Sequence, residues 1–247
     1  MVETKTVGSR VFKVVNYIIL TILAISCLYP LWYELCVSLS DKLAADSGAV
    51  TLWPVGVNFN SYELIMGDGT FWNSFMISVG RGVLGTIWTM VVIIMMAYPL
   101  SKTSHEYKPR TILMWVLVFC MLFNGGTIPW FITMQKYKLI DNFAALIFAG
   151  SVPVFNVLLL MNFFRNLPAD IEEAALVDGA GPWRILWTIV VPCSVPVIAT
   201  VVLFTSVGYW NEYFQGLVLM NSEDKYPLQT YIRQITVQIP PGVTLTT

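Results

Sequence analysis

Two apolar stretches, residues 14–36 and 71–100, constrain this chain more than any other feature. A helical bilayer crossing needs about 20 apolar residues, and each stretch supplies at least that many. Three further apolar runs follow, at 111–134, 143–164 and 189–216. The expected fold is therefore an all-α integral membrane bundle with five predicted transmembrane helices. The 71–100 run is longer than a crossing requires, so it should tilt or extend beyond the bilayer. Composition agrees: 12% of the residues are charged, where a soluble domain carries about 25%.

Lysine and arginine set the expected orientation. Lys5, Arg10 and Lys13 precede the first span. Lys102, His105, Lys108 and Arg110 form a short basic loop, and Arg165 and Arg184 flank the loop around Glu173. The opposite side holds Lys42, Lys136, Lys138, Lys225 and Arg233. This modest asymmetry places residues 1–13 and both basic loops in the cytoplasm. The polar 38–70 segment, the loop near Asp141 and the polar tail from Asn221 then lie outside. A net charge of −1 gives no reason to propose nucleic acid as a partner. Cys27, Cys36, Cys120 and Cys193 lack metal-ligand spacing and read as packing residues. Ala24–Cys27 faintly suggests a lipoprotein cleavage site, but the apolar run continues past Cys27, as in an uncleaved anchor.

Charge reappears between the fourth and fifth runs, in Glu173-Ala174-Ala175-Leu176-Val177-Asp178-Gly179. Asp170 can cap a helix there, with Glu173 reaching back in a capping box. Gly179 is the expected stop, because glycine accepts a left-handed helix end. Pro182 can open a second short helix. The first helix has about two turns, and helices below about 12–15 residues are marginal alone in water. It reads as a segment built to dock.

The order Glu-Ala-Ala, three residues, Gly, nine residues, then Ile189-Val190-Val191-Pro192 resembles the EAA loop of ABC-importer permeases, with Val191 in place of Leu. Asp178-Gly179-Ala180, Asn73-Ser74, Ala97-Tyr98-Pro99-Leu100-Ser101-Lys102 and Trp210-Asn211-Glu212 are similar to the carbohydrate branch. Phe123-Asn124-Gly125-Gly126-Thr127-Ile128-Pro129 and Tyr226-Pro227-Leu228-Gln229 are similar to its complex-oligosaccharide, lipoprotein-receptor subgroup, on the maltose-type second permease side. The resemblance implies a type I permease bundle: a cytoplasmic segment at 1–13, a first transmembrane helix at 14–36 and a permease domain at 71–247 containing the coupling loop at 166–192. It implies six spans where five are found, so the domain is expected to be incomplete at its C-terminus and short of a full translocation path. It implies that Glu173, Ala174, Ala175 and Gly179, with Asp178 and Arg184 beside them, meet a cytoplasmic ATPase. The implied partners are a second homologous permease, two ABC ATPase copies, an extracellular lipoprotein-type sugar-binding protein and membrane lipid. The implied location is the bacterial plasma membrane. No cofactor is expected on this chain, ATP and Mg being bound by the ATPase. The sequence itself has no G-x-x-x-x-G-K-[ST] loop.

The remaining candidates concern a substrate path. Gly80-Arg81-Gly82-Val83-Leu84-Gly85 spells G-x-G-x-x-G, but inside a membrane span it reads as a helix-packing face rather than a dinucleotide loop. Arg81 costs roughly 2.5–3.5 kcal/mol at a membrane helix centre on insertion scales. It faces a polar pathway, pairs with an acid such as Glu212, or snorkels outward. Trp210, Asn211 and Glu212 offer aromatic and hydrogen-bonding groups to a sugar, or belong to an interfacial belt. Asn124 begins a stretch able to break a helix and line a cavity. Pro192 and Pro196 kink the fifth span, as a pivot or a redirection. His105 is the only histidine and implies neither metal nor catalysis. The chain is thus expected to be a non-catalytic oligosaccharide permease. A peptide or amino-acid cargo is the alternative. A membrane-embedded enzyme would need clustered acids, histidines or a nucleophile–base pair, which are not seen.

Overall fold

The computed structural model describes residues 7–150 and 152–238. Among these, regular structure is helical throughout. The chain divides into two units, meeting in sequence between Asp68 and Gly69.

The first unit holds α1 (Val7–Ser38), α2 (Lys42–Asp46) and α3 (Asn60–Gly67). Most of the apolar side chains of α1 from Val11 to Leu35 are exposed, a surface that suits lipid rather than water. Its last turns are covered by the segment that follows. The Trp32 indole donates to the Leu52 carbonyl at 2.8 Å, and Ser40 donates to the Cys36 carbonyl at 2.6 Å. Backbone bonds from Asp41 to Val55 and from Asn58 to Leu39 close this loop into a small cap.

The second unit is organised on α4 (Gly69–Ser101). Its 33 residues reach about 50 Å at 1.5 Å per residue, well beyond a hydrocarbon core of about 30 Å. Ser74, Ser78, Arg81, Gly85, Thr89, Ile93, Ala97 and Leu100 recur every three or four residues and form one buried stripe. The small residues let neighbours approach closely. Gly85 lies under the Tyr209 ring, where an added Cβ would come within 2.6 Å of the ring atoms. Gly80 and Gly82 make no comparable approach.

The predicted third, fourth and fifth spans are not continuous helices. The third divides into α5 (Arg110–Leu122) and α6 (Thr127–Lys136), bent by 115°. Gly126 takes φ +84°, and its amide donates to the Asn124 side chain at 2.9 Å, which closes the turn. The fourth divides into α7 (Phe143–Phe148) and α8 (Val154–Arg165), with Gly150 and Pro153 between them. The fifth follows α9 (Ala169–Val177) and begins as α10 (Pro182–Ile185), a π turn at Leu186–Val190 and α11 (Val191–Cys193). It then bends by 84° around Ser194 into α12 (Val195–Asn211). Pro192 and Pro196 flank that bend, as their missing N–H groups lead one to expect. Two helices, Gly8–Ser38 and Gly69–Ser101, are individually long and apolar enough to cross a membrane. The two bent pairs qualify only as pairs.

The tail from Asn221 is also not a free polar segment. After α13 (Phe214–Leu219) and a 3-10 turn at Glu223–Lys225, α14 (Leu228–Gln238) docks on α4. Leu228 donates its amide to Ser78 Oγ at 2.7 Å, and Tyr226, Leu228 and Thr230 are buried. One apolar cluster joins α4, α5, α8 and the α9–α12 segment. A second joins Ala145, Leu146 and Ala149 to Leu219, Met220 and Tyr226.

Candidate functional site

The loop carrying Glu173 is built as a rigid bracket. α9 starts after Pro168 with no side-chain cap, so the expected capping box does not form. Asp170 sits inside the first turn with Glu172, where negative charge suits the positive helix end. The C-terminal end follows expectation. Gly179 has φ +74°, its amide bonds to the Leu176 carbonyl at 3.0 Å, and the Ala180 amide bonds to Ala175 at 2.9 Å. These paired bonds form a Schellman cap. Pro182 then opens α10, with Gly181 as its cap.

Burial divides the bracket into two faces. Ala175, Ile185 and Leu186 are buried in the apolar cluster with Leu100 and Phe164. Glu173, Ala174, Asp178, Gly179 and Arg184 are exposed. So are Leu176, Val177 and Trp183, with Val177 88% exposed. This is a surface of apolar groups interspersed with charge. Glu172 pairs with Lys102 at the end of α4, and Lys102 lies over the Tyr98 ring. That ion pair ties α9 to the basic loop and places the two loops at one end of the unit. In the basic loop, the Thr103 backbone and hydroxyl both donate to Glu106 at 2.8 Å, and the backbone bond above all holds its carboxyl below the usual range. Sequence reasoning named Glu173 and placed Lys102 in the basic loop, but did not pair Lys102 with Glu172 or put Trp183 on the docking face. The charge pattern of 102–110 was the available signal.

Arg81 resolves to one of its three readings. It is 1% exposed and pairs with Glu212 Oε2 at 2.7 Å. It also donates to the Glu212 carbonyl at 2.8 Å, Gln215 Oε1 at 2.7 Å and the Leu146 carbonyl at 3.1 Å. The last bond belongs to a larger arrangement. Tyr209 donates to the Ile147 carbonyl at 3.0 Å, and the Trp130 indole to the Ala149 carbonyl at 2.9 Å. Three side chains from three helices thus satisfy the carbonyls around the end of α7, which have no helical partner. The charge on Arg81 also suits a helix C-terminus. The Leu146, Ile147 and Ala149 carbonyls are thus met by protein, as backbone interrupting a membrane span must be.

Two adjoining cavities share Glu212 and Gln215. The smaller, ≈ 270 Å³, is bounded by Arg81, Thr89, Asn156, Thr205 and Tyr209 as well. The larger, ≈ 920 Å³, extends to Phe123, Asn124, Trp130, Phe155 and Phe214. Trp130 and Phe214 lie near-parallel, with ring centroids 6.4 Å apart. The structure therefore brings Asn124, Arg81 and Glu212 to one region. Trp210 packs edge-on against Phe75, and Trp210 and Asn211 line neither cavity. Phe214 and Gln215 belong to the same aromatic and hydrogen-bonding stretch as Glu212 and were weighed with it as sugar contacts, whereas Trp130 was not, since a separate helix brings it to the cavity. Among the described residues no cluster of His, Cys, Asp or Glu could hold a metal.

Beyond the cavities, Lys225 pairs with Asp141, and Asn73 donates to the Asp224 carbonyl. The Lys225 ammonium, followed by the Asn221 amide, holds the Asp141 carboxyl below the usual range. These bonds gather the 136–142 loop, the start of α4 and the 221–228 segment at the end opposite the bracket.

Comparison with known proteins agrees with this geometry. The family described as binding-protein-dependent transport system inner membrane component matches residues 6–245. Protein LplC of Bacillus subtilis (strain 168) is 34% identical over 232 residues, spanning 94% of this chain and 78% of LplC. The polygalacturonan/rhamnogalacturonan transport system permease protein YtcP of the same organism is 34% identical over 229 residues, 93% of this chain and 79% of YtcP. A solved bacterial ABC transporter involved in import of the acidic polysaccharide alginate superposes with a TM-score of 0.88 at 33% identity, covering 99% of this chain and 86% of that one. With the family matched across nearly its whole length and the bracket folded as the EAA sequence requires, the chain belongs to the binding-protein-dependent transport system inner membrane components, the non-catalytic permease subunits of ABC importers.

Proposed function

We propose that this permease passes oligosaccharides through the larger cavity. The carrying observation is its lining: the Trp130–Phe214 pair beside the amides of Asn124 and Gln215 and the carboxylate of Glu212. Sugars present apolar ring faces and directional hydroxyls, and such a wall offers a partner to each. LplC aside, the named relatives support the same class: YtcP is named for polygalacturonan and rhamnogalacturonan, and a Streptomyces coelicolor relative, 29% identical over 226 residues, for diacetylchitobiose. A peptide or amino-acid cargo finds less support, since Arg81, the cation among the described lining residues, is buried and already bonded to Glu212, Gln215 and backbone carbonyls, leaving no free cation for a cargo carboxylate.

An ABC importer permease works with an ATPase, another permease and a binding protein in the membrane. In the finer reading, a second homologous permease completes the path, and two ATPase copies grip the paired brackets. A lipoprotein-type receptor delivers sugar from outside, and the amino terminus and bracket face the cytoplasm. The exposed Leu176, Val177 and Trp183 give the bracket an apolar surface to bury in an ATPase groove. Nucleotide-driven closure then shifts the population between inward- and outward-open packings. The test is reconstitution of the assembled transporter with its receptor, followed by ATPase and uptake assays across oligosaccharides, peptides and amino acids. Stimulation by peptides alone would overturn the cargo assignment.

A further inference from the structure

Cargo charge is the property that this cavity wall decides most sharply. Among the described residues lining the two cavities, the charged side chains are Arg81 and Glu212 alone. Arg81 is 1% exposed. A guanidinium has five donors, and Arg81 directs bonds to the Leu146 carbonyl, the Glu212 carbonyl, Glu212 Oε2 and Gln215 Oε1. It is neutralised, borders the smaller cavity with almost no exposed surface, and does not line the larger one. Glu212 accepts from Arg81 and from the Gln215 amide but remains 28% exposed, so the charged group that a ligand can reach is the edge of a paired carboxylate, with no free cation beside it. Around it stand the uncharged groups of Asn124, Thr127, Trp130 and Phe214.

A uronate carboxylate entering this space loses water, meets a like charge and finds no unpaired cation. Desolvation and like-charge proximity both disfavour an ionised carboxylate. An uncharged pyranose meets neither cost: its hydroxyls donate to Glu212, bond to the Asn124 amide, and its faces stack on the rings. We infer that this permease selects uncharged oligosaccharide units over uronate-bearing ones, through the absence of a free cation beside Glu212. The inference rests on the reading that the cargo is an oligosaccharide.

The test uses the permease assembled with its second permease and ATPase in nanodiscs, with the receptor omitted so that it cannot impose its own selection. Equilibrium binding is measured for two labelled trisaccharides of one linkage, trigalacturonate and its carboxyl-reduced, uncharged form. The uncharged sugar is expected to bind at least about tenfold more tightly, a difference worth about 1.4 kcal/mol. Thr127→Lys places a cation on the exposed lip of the cavity and leaves the Asn124–Gly126 turn intact. It should raise trigalacturonate affinity about tenfold relative to that of the uncharged sugar at low salt, with this relative gain shrinking as ionic strength screens it. Equal or tighter binding of trigalacturonate to the unaltered complex overturns the charge selection and leaves the oligosaccharide reading standing. Trigalacturonate binding unmoved by Thr127→Lys overturns it as well. Binding of neither sugar removes the oligosaccharide reading and the inference with it.

Discussion

At the scale of single residues, Arg81 shows how a costly group announces itself. A charge at membrane depth demands a partner, and Glu212 was among the partners visible in the sequence. The Leu146 carbonyl was not visible, because a backbone acceptor leaves no mark in composition. Replacing Arg81 with Ala strands the Glu212 carboxylate and that carbonyl together. Breaking a buried pair by removing one partner costs 3–5 kcal/mol; about 3 is expected here, since Glu212 keeps some solvent. Arg81→Gln with Glu212→Gln should lose less, because no charge is stranded. Thermal unfolding of the detergent-solubilised complex reads both, and a larger loss in the double variant would refute the argument. Asp141 gives a pH prediction. Its folded pKa lies below its ordinary 3.8, so its contribution is present above that value and declines as pH falls through the lower, folded one. Docking of the 221–228 segment should thus be unchanged from neutral pH to about pH 5 and loosen only in stronger acid, as hydrogen exchange of the Asn221 amide would report. Loosening near pH 6 would contradict it.

At the scale of elements, glycine and proline told more than apolar length. Gly179 and Pro182 marked a helix end and a helix start correctly because each acts through local backbone geometry. The capping box failed because Pro168 ends the preceding segment one residue before Ala169, which leaves Asp170 inside the helix. Apolar runs cannot report breaks whose polar groups are satisfied by distant side chains, so the divided fourth span was read as whole, while the break in the third was expected only from its Asn124-Gly125-Gly126 turn residues. Gly179→Val must hold a β-branched residue at φ +74°, at a cost of roughly 1–2 kcal/mol. No neighbour lies within 4 Å of the added Cβ, so the membrane fold should persist while coupling fails. Normal receptor-stimulated uptake in this variant would refute the coupling role. Gly216→Val sets a contrasting case. Its Cβ would fall within 2.2 Å of Thr230 Oγ1, and Thr230 bonds to the Tyr213 carbonyl. This variant should release α14, read as faster proteolysis after Arg233, and intact protection would count against the docking.

At the scale of the whole molecule, lysine and arginine suggested that the 102–110 and 166–192 loops share one side and that the loop near Asp141 and the segment from Asn221 share the other. Within the second unit, the Lys102–Glu172 and Lys225–Asp141 pairs gather the residues assigned to opposite sides. The docking of α14 was missed because its sequence is polar on average, with apolar residues on one face. Single cysteines in a cysteine-free background should be labelled by an impermeant reagent from outside at positions 47 and 221, and from inside alone at 105. Labelling of position 105 in intact cells would reverse the orientation.

The three-sided hold on the end of α7 also bears on biogenesis. Arg81 precedes its acceptor by 65 residues and Trp130 by 19, but Tyr209 follows its acceptor by 62. At about 5–20 residues per second of synthesis, the last donor emerges roughly 3–12 s after the carbonyl it serves. Through that interval the α7–α8 break needs a temporary guardian: water in a half-built cavity, or the insertion machinery itself. Chains arrested before residue 209 should leave a cysteine at position 149, buried in the folded protein, open to a water-soluble label, and chains extended through α13 should protect it. Protection already complete in the shorter chain would mean that the first two donors suffice.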